Sequence, residues 1–201
     1  MIKLWLINRQ EVKMKQSDAQ KKILDTVVTA MQENQNIEKL TNRQIAERAG
    51  VNSALINYYF KSKENLLLEA VNICMGNLFE DIIQRTSTEA DPLRRLKEMI
   101  QGIVSLGYKH YPLVKISILN ELSDGGIGTN KMIQPILKEI FQTEKSEYEL
   151  KLIAAQLLLP LQVIFLNADS YQNYLQKDLK SVEEEQEMLV ETIFKNLSLV
   201  Q

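Results

Sequence analysis

The chain is predicted to be all-α: a three-helix head containing a helix-turn-helix, then a larger C-terminal helical bundle, about nine helices in all. Three observations carry this. Apolar residues return at three- and four-residue intervals over most of the 201 positions, the period of a helix with one buried face. Only four prolines and seven glycines interrupt them, too few for a fold of many short strands. The segment at 41–65, TNRQIAERAGVNSALINYYFKSKEN, carries the caps and turn of two short helices followed by a longer one.

Residues 1–16 are mixed and mildly basic (Lys3, Arg9, Lys13, Lys15) and lack caps. They read as an N-terminal extension: a flexible arm, an upstream addition, or the product of a start before Met14. A first helix is expected from Ser17 or Asp18 to Asn34, with Ile23, Val27, Ala30 and Met31 in register and Leu24 and Val28 widening the stripe. Thr41 and Gln44 have capping-box spacing, so a second helix begins at Asn42. Ile45 and Ala49 share its inner face, and Ala46 permits close approach. Gly50 supplies the left-handed backbone that ends it. Asn52 can cap a third helix at 53–59, packed inward through Ile56, Tyr59 and Phe60. Its outer face is then Ser53, Ala54, Asn57 and Tyr58. Ser62 caps a fourth helix from Lys63 to about Arg85, apolar over most of its surface and hence buried on two sides.

Asp91-Pro92 opens a fifth helix, with proline in its first turn, and Pro112 opens a sixth at about 113–122. The run DGGIGTN at 124–130 reads as a loop. It lacks the Lys-Ser/Thr of a phosphate loop and any preceding strand. A seventh helix is expected at 131–142 and an eighth at about 147–167, bent at Pro160. Residues 168–180 are polar and helical in part. The ninth helix covers 182–197, with Glu183, Glu184 and Glu185 where the helix dipole favours them.

Composition narrows the function. A single cysteine, Cys74, excludes an intramolecular disulfide and a multi-cysteine metal site, and fits a reducing cytoplasm. One histidine, His110, argues against a histidine metal site or a catalytic triad. No nucleophile–base arrangement is apparent, so no enzyme, metal or cofactor is expected. No apolar run approaches the length that crosses a membrane; the longest, 157–166, is broken by Pro160 and Gln162. The 2–7 run is too short for a signal peptide. Net charge is −2, but it is unevenly spread: residues 1–63 carry 11 basic and 6 acidic side chains, residues 64–201 carry 13 and 20. A basic head on an acidic body brings the head to phosphates and keeps the body off them.

The run IAERAGV at 45–51, followed by LINYYF at 55–60 and KSKENLL at 61–67, resembles the DNA-binding domain of the TetR family of bacterial transcription regulators. The resemblance is specific from about Ser17 to Val71; beyond that only the plan matches. It implies a helix-turn-helix domain at 17–63 and a ligand-binding and dimerisation domain at 64–201. Within the head, Ser53, Ala54, Leu55 and Asn57 would reach base edges in the major groove, with Asn57 able to pair bidentately with adenine. Arg43 matches a base-contacting position of some family members, for which guanine is the natural target. Asn57 departs from the family, where tyrosine is more usual. Thr41, Tyr58, Tyr59, Lys61 and Lys63 suit phosphates; Tyr59 reads equally well as a core aromatic.

The same resemblance implies a homodimer on a palindromic duplex, its two half-sites about one helical turn or a multiple apart. The last two long helices are the expected interface, through Leu157, Leu161, Ile164, Leu189, Ile193, Phe194 and Leu197. A small effector would bind among Met75, Phe79, Met99, Ile103, Tyr108, His110, Met132, Gln162 and Phe165. That mostly apolar set favours a hydrophobic or amphipathic molecule. The expected function is a cytoplasmic, ligand-released repressor. The alternative is a binding module of the same fold whose head no longer reads DNA.

Overall fold

The computed structural model describes residues 17–33 and 39–197. The N-terminal extension expected at 1–16 and the first helix's expected end at Asn34 lie outside them. The described residues form ten helices and no strand: α1 (Asp18–Gln32), α2 (Asn42–Ala49), α3 (Ala54–Phe60), α4 (Lys63–Thr86), α5 (Pro92–Lys109), α6 (Tyr111–Ser123), α7 (Gly128–Phe141), α8 (Glu147–Leu166), α9 (Ala168–Leu175) and α10 (Glu183–Asn196). The chain divides into two compact units between Asn77 and Leu78, inside the continuous helix α4.

In the N-terminal unit, α1 packs against α2 and α3. Ser17 caps α1 by accepting from the Gln20 amide at 3.2 Å. Ile23, Leu24, Val27 and Ala30 of α1 meet Ile45 and Ala46 of α2, Ile56 and Phe60 of α3, and Leu66 and Ala70 of α4 in one buried cluster. Helices α2 and α3, of 8 and 7 residues, are too short to persist alone in water, so this shared core holds them.

The C-terminal unit is built around α5, α7, α8 and α10, with α6 and α9 laid on α8. Its core joins Leu96, Met99 and Ile100 of α5, Ile133 and Leu137 of α7, Leu150, Ala154, Leu157 and Leu161 of α8, and Val190 and Phe194 of α10. Ion pairs Arg95–Glu139 and Lys97–Glu191 tie α5 to α7 and to α10. Ser146 and Glu149 form a capping box at the start of α8.

Three expectations change on folding. Helix α7 begins at Gly128, three residues before its expected start. The cause is Glu121 on α6, whose carboxylate accepts from both the amide and the hydroxyl of Thr129 at 2.5 Å and so caps α7 from outside it. Residues 168–175, expected to be helical only in part, form a complete helix closed by Gln176 in the left-handed region (φ 55°), the ninth of the ten among the described residues. Finally, the chain does contain a segment with the length and apolar content to cross a membrane. Helix α8 runs on through Pro160 and Gln162, spans 20 residues and has a mean hydropathy of 1.7. About a third of that stretch, 33%, is buried inside the unit.

Candidate nucleic-acid interface

The turn between α2 and α3 follows from local chemistry. Thr41 accepts from the Gln44 amide at 3.2 Å, and Gln44 Oε1 accepts from the Thr41 amide at 2.8 Å, which completes the capping box. Gly50 takes φ 64° and ψ 36°, and the Val51 amide reaches back to the Ala46 carbonyl at 3.0 Å. This left-handed closure carries little steric cost in glycine alone. Asn52 Oδ1 then accepts from the Ala54 amide at 2.8 Å and starts α3. Ser53 stands at the cap position with no side-chain cap bond of its own.

Burial sorts α3 into two faces. Ile56 and Phe60 are buried; Ser53, Ala54 and Asn57 are exposed, and Tyr58 is 68% exposed. Leu55 and Tyr59 sit at the border, half-buried against the head core. The Tyr58 and Tyr59 rings meet edge to face at 4.9 Å, so Tyr59 anchors the outward tyrosine while packing inward. Arg43 is exposed beside Glu47, at 3.5 Å on the same helix.

The corner from α3 into α4 is held by side chains. Lys61 has φ 68°, a region that disfavours residues with a Cβ, and its Nζ donates to the Tyr58 carbonyl at 3.2 Å. Ser62 caps α4 by accepting from the Asn65 amide at 3.1 Å. Asn65 Nδ2 donates in turn to the Phe60 carbonyl at 3.1 Å. Hydrogen bonds to its own backbone amide and to Ser62 hold the Glu64 carboxyl below the usual range. Lys63 is half-buried at the first position of α4.

Two residues outside the predicted set join this surface. Asn42, half-buried at the first position of α2, donates from Nδ2 to Asn57 Oδ1 at 3.4 Å. Nothing in the sequence pairs positions 15 apart on different helices. Asn65 could have been singled out as a polar residue three after the Ser62 cap.

The residues proposed for an effector fall as follows. Met75 is buried in the N-terminal unit. Met99 is in the C-terminal core, with Phe79, Ile103 and Tyr108 packed against it. Phe165 is buried, its ring 5.1 Å from Tyr108 and 4.8 Å from Tyr111. Burial, with Tyr111 alongside, pushes the Tyr108 hydroxyl up to about 12. Gln162 is buried, donates to Glu121 at 3.4 Å and leaves Oε1 unpartnered among the described residues. Met132 is half-buried on α7. His110 caps the junction of α5 and α6; burial first, then Lys109, lowers its basicity.

Of the residues proposed for a dimer face, Leu157, Leu161 and Phe194 are buried within their own unit, and Leu189, Ile193 and Leu197 pack on that same core. Ile164 is half-buried. The outer face of α8 presents a different stripe: Tyr148, Leu152, Leu159 and Val163, between 37% and 70% exposed, with Met188 of α10 at 51%. Steps of four and seven along α8 place these on one side of the helix.

Comparison with known proteins agrees with this geometry. Residues 30–70 match the family model "Bacterial regulatory proteins, tetR family". The HTH-type transcriptional regulator BetI of Rhizobium meliloti (strain 1021) is 36% identical over 62 residues, which is 31% of this chain and 30% of that protein. The chain thus spans about 30% of the length of this curated relative. Among solved structures, a candidate transcriptional regulator from Rhodococcus sp. RHA1 superposes with a TM-score of 0.66 at 14% identity, covering 92% of this chain and 97% of its own. FadR of Bacillus subtilis, solved with stearoyl-CoA, superposes with a TM-score of 0.57 at 21% identity, covering 85% and 96%. The two share its fold. Over residues 30–70, the helix-turn-helix head is thus similar to that of the tetR family of bacterial regulatory proteins.

Proposed function

We propose that this protein is a homodimeric, sequence-specific DNA-binding regulator in the cytoplasm, a repressor released from a palindromic operator by a small hydrophobic or amphipathic molecule. The observation that carries the reading is the division of α3: Ile56 and Phe60 lock it to the head core, while Ala54, Asn57 and Tyr58 stand in solvent. A helix so mounted presents short polar and aromatic side chains to a major groove. Arg43, Lys61 and Lys63 supply positive charge around it.

Two heads need a two-fold interface. The exposed stripe Leu152, Leu159 and Val163 of α8, with Met188 of α10, is the surface that a second copy would cover. The effector would sit inside the C-terminal unit near Tyr108 and Phe165, whose rings lie 5.1 Å apart, and Gln162, whose Oε1 is buried with no partner among the described residues. A mostly apolar site with few polar groups suits an amphipathic molecule. Helix α4, continuous through both units, is the element through which occupancy would change the heads.

Selection of genomic fragments by the purified protein tests the reading, with a double variant of Asn57 and Tyr58 to alanine as control. Enrichment of a palindromic site by the wild type alone, with affinity that falls steeply with salt, is expected. Equal recovery by both proteins would refute base reading by α3. Salt-independent binding would refute phosphate contact by the head.

A further inference from the structure

We propose that Asn42 positions Asn57 with its amide oxygen drawn toward α2 and its NH2 group outward, so that the head favours guanine or thymine over adenine at the base it faces. This rests on the DNA-reading assignment above.

Asn42 Nδ2 donates to Asn57 Oδ1 at 3.4 Å, and Asn42 Oδ1 is buried without a hydrogen-bond partner among the described residues. The two ends of an amide are nearly equal in size, so partners decide which way round it lies. Turning Asn42 over would bury an NH2 group, two unmet donors, where one unmet acceptor now lies. It would also set oxygen against oxygen at Asn57. The polarity of the pair therefore has a physical cause inside the head. Asn42 belongs to a helix start fixed by the Thr41–Gln44 box, so it holds Asn57 before DNA arrives.

With its oxygen held by Asn42, Asn57 approaches a groove as a donor. Guanine offers two acceptors there, N7 and O6, and thymine offers O4. Adenine pairs its N7 acceptor with an N6 donor, and cytosine presents a donor. Asn57 alone, on an exposed helix face, reads as an adenine contact; the pair does not.

The test compares four duplexes that differ at one base pair, for the wild type, Asn42→Ala and Asn42→Asp. The position is the one whose preference disappears in Asn57→Ala. The wild type is expected to favour guanine or thymine over adenine by roughly fivefold or more. Asn42→Asp presents only acceptors to Asn57, turns its NH2 inward and moves the preference toward adenine and cytosine, whose amines donate. Asn42→Ala frees the amide and narrows the differences. An aspartate in the first helical turn suits the helix dipole but buries a charged oxygen, so thermal melts of both variants report any loss of head stability separately from the base ratios. Ratios between duplexes cancel the uniform loss from added negative charge. A wild-type preference for adenine, or a preference that Asn42→Asp leaves unmoved, overturns the proposal. A wild type with no position sensitive to Asn57→Ala overturns the DNA-reading assignment, and this proposal with it.

Discussion

Asn65 donates its side-chain amide to the Phe60 carbonyl at 3.1 Å, tying the last turn of α3 to the first turn of α4 across the corner at Lys61. Helix α3 is thereby braced at both ends, by Asn52 at its start and Asn65 at its finish. Asn65→Ala should remove one part-buried hydrogen bond and lower head stability by about 1 kcal/mol. Urea denaturation checks this, and an unchanged midpoint would show that the brace carries no energy.

Lys61 combines a strained backbone with an exposed charge beside α3, so Lys61→Gly should act with opposite signs on two observables. Relief of the φ 68° conformation should raise stability by about 1 kcal/mol. Loss of one cation should weaken duplex binding uniformly and reduce the salt slope by about one per head. An unaltered slope would remove Lys61 from the phosphate contacts.

Tyr58 and Ile56 are neighbours on α3 with opposite exposure, and their alanine variants should separate binding from folding. Tyr58→Ala should leave stability within about 0.5 kcal/mol of the wild type while duplex affinity falls. Ile56→Ala should cost about 2–5 kcal/mol by opening a cavity in the head core. Full duplex affinity in a well-folded Tyr58→Ala protein would take Tyr58 out of the interface.

Leu159→Glu and Val163→Glu should dissociate the proposed dimer while each subunit stays folded, because both side chains are exposed within a single chain. Phe194→Asp, in contrast, places a charge in the core of the C-terminal unit, where Phe194 is fully buried, and should unfold that unit. Sedimentation and circular dichroism distinguish the cases. A dimeric Leu159→Glu, Val163→Glu double variant would move the interface off this stripe.

Tyr108 should lend stability that is present below pH 10 and lost above it. Its folded-state pKa is raised to about 12, whereas the unfolded chain ionises near 10, so the unfolded state sheds its proton first and gains on alkalinisation. Tyr108→Phe should flatten that alkaline loss in a series of melts. A variant that falls as steeply as the wild type would place the ionising group elsewhere.

The local structure of the head was written in short-range chemistry. Thr41–Gln44, Gly50, Asn52 and Ser62 act on backbone groups within a few positions, so their spacing alone announces caps, turn and helix starts, and the order of helices follows. The division of α3 into Ile56 and Phe60 inside, Asn57 and Tyr58 outside, was also readable, because a helix of known start has a known inner face. What lay beyond reach depends on partners distant in the chain. Glu121 begins α7 from another helix, Asn42 orients Asn57 across 15 positions, and Phe194 lies in the core and Val163 on the surface although both are simply apolar in sequence. Hydrophobic burial has no direction, so a helix as apolar as α8 offers several faces to a core. Which face turns inward, and which remains for a second chain, is decided only when the other helices pack against it.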